Sequence, residues 1–275
     1  MTTPIPEGKY IDMANGYRVH YHEAGPADGQ AVIFLHGSGS GASGYSNFKG
    51  NYPVFAEAGF RCFVPDILGY GLSSKPDLEM YDTDFFTSGI KALVDSLGLK
   101  NIILLGNSLG GALCLDYALK YPDEVAKLIL MAPGGLATLD EYKQMPGIQA
   151  LFTAHQTASS PKEALRTVMN LQVVDKSLIT EDIITERAAI AATQTTAARS
   201  ALKVPNYTDQ LSKITQPILG FWGMQDCFTP PSGAQKVLDG CPNARFILLN
   251  RCGHWVQVEH RGMFNRACID FMQNG

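Results

Sequence analysis

At 275 residues the chain can bury a full core and fits one large α/β domain with an inserted cap. Its 45% hydrophobic and 17% charged residues exclude a disordered chain, and its net charge of −4 offers no basic patch of the kind nucleic acid needs. Met1–Pro6 lacks the basic and apolar stretches of a secretion signal, and no apolar run approaches membrane-spanning length. Six cysteines, at positions 62, 114, 227, 241, 252 and 268, are spread without a Cys-x-x-Cys pair. The expectation is a cytoplasmic protein with free buried thiols, no metal site, no membrane and no nucleic-acid partner.

Lys9–Met13 and Tyr17–Glu23 read as an opening hairpin, because Asn15-Gly16 suits a tight primed turn. Buried strands follow at Ala31–Leu35 and Arg61–Pro65, with a helix between them over Gly44–Ala58. A helix over Asp82–Leu97 precedes the strand Asn101–Leu105, and a further helix covers Ala112–Lys120. Three more strands are predicted at Lys127–Met131, Pro217–Phe221 and Ala244–Leu249, and an amphipathic helix over Glu259–Met272 closes the chain. Apolar runs alternating with helical patterns imply a mainly parallel sheet.

One stretch breaks the rhythm. Between Ala132 and Ser212 no convincing strand appears, only helical patterns at Glu141–Ala154, Pro161–Asn170, Glu181–Thr193 and Thr195–Leu202. Pro161 suits a first helical turn, with Ser160 as its cap. The division expected is a core of residues 1–133 and 213–275, with a helical cap of 134–212 inserted after the sixth strand. Such a cap would lie over the carboxyl edge of the sheet, where open α/β sheets bind ligands.

Gly106-Asn107-Ser108-Leu109-Gly110-Gly111 sits between an apolar strand and a helix. A serine there occupies a cramped strand-to-helix turn with its hydroxyl pushed out, and flanking glycines avoid collisions with the neighbouring strand and helix. A serine hydroxyl becomes a nucleophile only when a base takes its proton, and a third group must orient that base. His254, in the loop after Ala244–Leu249, is the expected base, and Asp226, after Pro217–Phe221, the orienting acid. This keeps the chain order Ser…Asp…His. His20 and His22 read as surface or packing residues, His36 as turn-stabilising, and Asp66 as loop-organising. His155 falls in the expected cap and could face substrate.

Acyl transfer needs donors aimed at a developing oxyanion. The Leu109 N–H follows the nucleophile, and the Ser38 N–H of the glycine-rich loop His36–Gly41 is the second choice. Gly39 is a further candidate contact, since glycine lets backbone approach a substrate closely. The loop lacks the Gly-Lys-Ser/Thr ending of a phosphate loop, so nucleotide binding is rejected. No cofactor or metal is called for.

Taken together, the elbow, the His-Gly loop, Asp226 and His254 resemble the α/β-hydrolase superfamily across essentially the whole chain. A narrower resemblance is to the meta-cleavage product hydrolases, which split carbon–carbon bonds in ring-opened aromatic or steroid metabolites. It is carried by the His36–Ala42 loop, Tyr45-Ser46-Asn47, the Gly106–Gly111 elbow, Met131–Leu136, Asp175–Thr180 and Cys252–Glu259. The resemblance implies an eight-stranded, mostly parallel sheet with a helical cap. It also implies that Arg187, with Asn47, Asn107 and Trp255, holds the carboxylate-bearing dienoate end of a small-molecule substrate. A guanidinium can pair bidentately with a carboxylate, and amides can bind an enol or keto oxygen. Departures are Ser40, where the family often has proline, Cys227, where it often has arginine, and Gln172 and Val174, where some relatives carry larger apolar groups. A carboxylesterase or lactonase on the same triad is the first alternative, and a non-catalytic ligand receptor the second. The substrate's substituent and assembly into a homodimer or higher homo-oligomer stay open.

Overall fold

The computed structural model describes residues 5–195 and 202–274. Ten strands occur among them: β1 (Lys9–Asp12), β2 (Arg18–Ala24), β3 (Ala31–Leu35), β4 (Arg61–Pro65), β5 (Tyr81–Asp82), β6 (Ile102–Asn107), β7 (Val125–Met131), β8 (Leu202–Lys203), β9 (Ile218–Gly223) and β10 (Ala244–Leu249). Eight of them form one sheet in the order β1-β2-β4-β3-β6-β7-β9-β10. Only β1 and β2 run against their neighbours, and the rest pair in parallel.

Parallel strands buried on both faces read as continuous apolar runs. In β3, Ile33 and Leu35 join the core on one face while Val32 and Phe34 join the core on the other. The same alternation puts Leu104 and Ile103 of β6 on opposite faces. Central β3 and β6 pair with Leu35 opposite Gly106, so the loop after β3 and the turn after β6 emerge side by side at the carboxyl edge. Strand order reverses in this part of the sheet, where the crevice of a doubly wound fold opens.

The helices are α1 (Gly44–Phe48), α2 (Tyr52–Glu57), α3 (Thr83–Ser96), α4 (Leu109–Lys120), α5 (Leu139–Lys143), α6 (Pro146–Thr157), α7 (Pro161–Asn170), α8 (Glu181–Ala191), α9 (Gly233–Gly240), α10 (Val256–Glu259) and α11 (Arg261–Asn274). None of the described helices is long and apolar enough to cross a membrane. Helices α5 to α8 follow β7, the sixth strand of the large sheet, and two side chains from outside them enter their apolar clusters. Phe228 joins Ala154, Ala164 and Val168, while Trp255 joins Leu165, Met169, Val173, Ile179 and Ile184.

Several local expectations are corrected. The opening hairpin closes with a three-residue loop, Met13 N to Tyr17 O at 2.7 Å and Gly16 N to Met13 O at 2.9 Å, and only Gly16 has positive φ (83°). Both primed two-residue turns need the first central residue at positive φ, and Asn15 is not. The helix expected over Gly44–Ala58 is two helices, because Pro53 starts a new first turn in α2. Pro146 divides Glu141–Ala154 in the same way. A strand does interrupt the stretch between Ala132 and Ser212: β8 pairs in parallel with β5, so Leu202 is extended. Residues 196–201 of the helix expected at Thr195–Leu202 lie outside the described residues.

Asp66, at the end of β4, is buried and accepts from the N–H of Gly44 (2.7 Å), the N–H of Leu72 (2.7 Å) and Nδ1 of His20 (2.8 Å). Its carboxylate therefore ties α1 to β2 and to the Gly71–Ser73 loop. Burial pushes its pKa up, but the His20 hydrogen bond, the nearby His36 and His20 rings and the Leu72 N–H hold it below the ordinary carboxylate value. His20 and His22 are both buried rather than at the surface. Removing the Asp66 acceptor leaves buried donors unmet, so Asp66→Ala is expected to cost about 2–4 kcal/mol in urea unfolding. Because the folded pKa lies below the unfolded one, this stabilisation is present above the ordinary carboxylate range and is lost as pH falls. The difference between parent and variant should therefore shrink in acid.

Candidate active site

The turn between β6 and α4 is built by crowding. A Cβ on Gly106 would overlap the Gly110 carbonyl, and one on Gly110 would overlap the carbonyl of Leu35 in β3. Only glycine lets strand and helix close to this distance. Ser108 caps α4 at φ 56° and ψ −116°, a strained conformation for a residue with a side chain. Its backbone is pinned from both sides: the Ser108 N–H donates to Met131 O at 3.0 Å, and Ser108 O accepts from Gly134 N at 2.9 Å. Leu109 is the first residue of α4, so its N–H is one of the helix's free leading donors.

Asp226 and His254 come together at 2.7 Å, carboxylate Oδ2 to ring Nδ1, and both are buried. The other carboxylate oxygen accepts from the N–H groups of Phe228 (2.7 Å) and Thr229 (3.0 Å). The Thr229 hydroxyl donates to Asp226 Oδ2 at 2.8 Å and stands 3.5 Å from His254 Nδ1. A carboxylate held by four donors stays put and accepts, which fixes the ring so that Nδ1 carries the proton and Nε2 is free to take another. The Phe228 ring lies 5.1 Å from the His254 ring, centre to centre. Asn107 reaches across from β6, its amide donating to Met131 O (3.2 Å) and His254 O (3.4 Å), which ties the serine's strand to the histidine's loop.

A second cluster gathers around Arg187 on α8. The guanidinium is buried, only 2% exposed. It donates to Ser40 O through Nε (3.3 Å) and Nη2 (3.2 Å), and through Nη1 to Asn47 Oδ1 (3.2 Å) and Ser46 Oγ (3.3 Å). The Trp255 ring lies 5.3 Å beneath it, and a Cβ on Gly39 would stand 3.2 Å from Nη2. All these partners are neutral. No carboxylate among the described residues lies within ion-pair distance of Arg187, because neighbouring Glu186 is taken by Lys49 at 2.6 Å. Burial lowers the Arg187 pKa to about 10, against a smaller upward pull from Glu186, so the group is still charged at neutral pH. A desolvated cation with only neutral partners can bind an anion strongly.

The structure thus brings Asp226 to His254, and Gly39, Asn47 and Trp255 to Arg187, with Asn107 bonded to the loop of His254. The Ser38 N–H has no acceptor among the described residues. Other candidates fall outside. His155 is exposed on α6. His36 is buried with Nδ1 on Gly37 O (2.8 Å) and Nε2 accepting from Ile67 N (3.0 Å), and burial lowers its pKa to about 4. Sequence reasoning missed Thr229, Ser40 and Ser46. A threonine three residues after an aspartate signals a local side-chain turn and could have revealed the first. Ser40 works through its carbonyl, which explains why a position often occupied by proline tolerates serine.

Residues 30–261 match the family defined by the alpha/beta hydrolase fold. The chain belongs to the α/β-hydrolase family. Within this family the hydrolase is 37% identical over 270 residues to a 2-hydroxy-6-oxo-6-phenylhexa-2,4-dienoate hydrolase of Burkholderia cepacia, which covers 95% of this chain and 93% of that protein. It is 35% identical to a 2-hydroxy-6-oxononadienedioate/2-hydroxy-6-oxononatrienedioate hydrolase of Comamonas testosteroni, with the same coverage of 95% and 93%. A solved meta-cleavage product hydrolase from Pseudomonas fluorescens matches this α/β hydrolase with a TM-score of 0.84 and 26% identity, over 97% of each chain.

Asp226→Asn removes the charge that orients His254, and turnover on any hydrolysed substrate is expected to drop by about 10³-fold or more. Thr229→Val, which deletes one donor to that carboxylate, should cost about tenfold. Circular dichroism of both variants should match the parent.

Proposed function

We propose that the chain is a serine-dependent hydrolase that cleaves a carbon–carbon bond in a 2-hydroxy-6-oxohexa-2,4-dienoate, a vinylogous 1,5-diketone from aromatic or steroid ring degradation. The observation that carries this reading is the buried Arg187 guanidinium, which has no anionic partner among the described residues and lies over Trp255, next in sequence to the histidine of the Asp–His pair. An esterase needs the elbow and the pair but not the cation. The names of the similar hydrolases support the same substrate class.

In this reading residues 134–212 form the cap, and Arg187 with Asn47, Asn107, Gly39 and Trp255 receives the dienoate end. The cap supplies an apolar slot for the acyl side, whose size sets which substituents fit. His254, oriented by Asp226, moves a proton to convert the dienol to its keto form, which gives the electrons of the breaking bond a place to go. Ser108 then adds to the distal ketone while His254 takes its proton, and the Leu109 and Ser38 N–H groups hold the oxyanion. Collapse breaks the carbon–carbon bond, the leaving carbon takes up a proton, and an acyl ester remains on Ser108. Water, deprotonated by His254, hydrolyses that ester. No cofactor takes part in this scheme. The six free cysteines fit a reducing, cytoplasmic setting.

Ser108→Ala should lower turnover of a coloured ring-fission product by several orders of magnitude while the protein still binds it. Wild-type turnover by that variant would end the nucleophile assignment. Arg187→Ala should cut kcat/KM for the dienoate by about two orders of magnitude. An uncharged aryl ester should suffer less, because only the contacts to Ser40 O, Ser46 and Asn47 are lost there. Equal losses on both would point to a collapsed cap, and no loss on either would favour an esterase. For the parent, kcat/KM on the dienoate should decline as pH rises through about 10, where the free Arg187 loses its charge.

A further inference from the structure

We infer that Gln194, three residues beyond α8, is a positioning residue for the loop that presents the Ser38 N–H. The inference rests on the reading of Ser108 as nucleophile and of Ser38 as an oxyanion donor. The loop between β3 and α1 has no regular structure of its own over Gly37–Ser40, so its backbone is placed by what grips it. Two contacts hold it from within, Ala42 N to Gly39 O at 3.0 Å and His36 Nδ1 to Gly37 O at 2.8 Å, and the core side adds Gly71 N to Ala42 O at 3.2 Å.

The remaining grips, on the Ser40–Gly41 side of the loop, come from α8 and the residues just after it. Arg187 holds Ser40 O with two donors, and Gln194 Oε1 accepts from Gly41 N at 2.7 Å. Gly41 is buried with φ +67°, and a Cβ there would overlap the Arg187 carbonyl, so this peptide lies flat against α8. Its N–H points away from water and Gln194 supplies its acceptor. The amide's orientation follows from chemistry, because a backbone donor can face only the oxygen and not the NH₂ group. Gln194 is itself anchored to α8, its N–H donating to Ala191 O at 3.1 Å.

This arrangement divides the work of the helical segment. Arg187 reads charge at the dienoate end as well as gripping Ser40 O. Gln194 meets no reacting atom and acts through Gly41 and the Gly39–Ala42 turn on the donor three residues earlier. A small displacement of an oxyanion donor weakens the transition state more than the ground state, so the effect belongs in kcat and is blind to substrate charge. The helical segment would then complete the oxyanion site in addition to enclosing substrate.

The test measures kcat and KM of Gln194→Met, Gln194→Glu and Ser108→Ala on a 2-hydroxy-6-oxodienoate and on p-nitrophenyl acetate. Methionine keeps the reach of glutamine without a good acceptor, and glutamate keeps the acceptor. Gln194→Met should lose about tenfold in kcat on both substrates alike with KM nearly unchanged, and Gln194→Glu should stay within about threefold of the parent. Parent-like kcat in Gln194→Met overturns the inference. So does a loss confined to the dienoate, or one that appears in KM. If Gln194→Met does not fold, Gln194→Ala is read against the same expectations. Turnover by Ser108→Ala would instead overturn the proposed mechanism, whatever Gln194 does.

Discussion

A single buried charge organises this molecule. Arg187 carries its guanidinium from α8 into a place where every partner is neutral, and taking an ion out of water without a counter-ion costs several kcal/mol. The fold offsets part of that cost with four hydrogen bonds and the Trp255 ring. Those contacts come from the loop after β3, from α1 and from the loop after β10, so the cation holds three separate segments of the chain to one point. An anionic ligand would supply what the protein withholds.

The serine elbow and the Asp–His pair meet a different constraint, which is steric. Glycines at 106 and 110 allow α4 to close on β3, and the strained backbone of Ser108 is the result. Bonds to Met131 O and from Gly134 N hold that strain in place. The acid and the base are each followed closely by a large ring. Phe228, two residues after Asp226, enters the cluster of α6 and α7, and Trp255, directly after His254, enters that of α7 and α8. The packing that docks the helical segment is therefore the packing that immobilises the loops of the pair, and loosening one disturbs the other.

The chain contains two buried His–Asp contacts of nearly equal length, Asp226–His254 at 2.7 Å and Asp66–His20 at 2.8 Å. Their surroundings separate their roles. The remaining acceptor capacity of Asp66 goes to the N–H groups of Gly44 in α1 and Leu72 in the loop after β4, and a Cβ on Gly71 would overlap its carboxylate. Asp226 is instead held by its own turn after β9, two strands from the elbow's β6. Both acids stand after parallel strands at the carboxyl edge of the sheet, so neither that position nor a short contact between acid and imidazole assigns a role by itself.

Much was legible from sequence because it depends on local chemistry. Strands β3, β4 and β10 and helix α7 have the predicted bounds, since short apolar runs flanked by polar or turn residues leave little choice, and Ser160 caps α7 through the Glu163 N–H as its position implies. The order of Ser108, Asp226 and His254 along three strand ends was likewise readable. Local signals failed where a competing turn had equal claim, as at Gly16, Pro53 and Pro146, and where a two-residue strand, β8, exists only because β5 lies beside it. Arg187 in Glu186-Arg187-Ala188 looks like a solvated helix residue, and no periodicity says that its face is the buried one. Only tertiary packing, which places α8 against the loop after β3, turned it into an unpaired buried cation and put Gln194 within reach of the Gly41 N–H, because both contacts join residues about 150 positions apart.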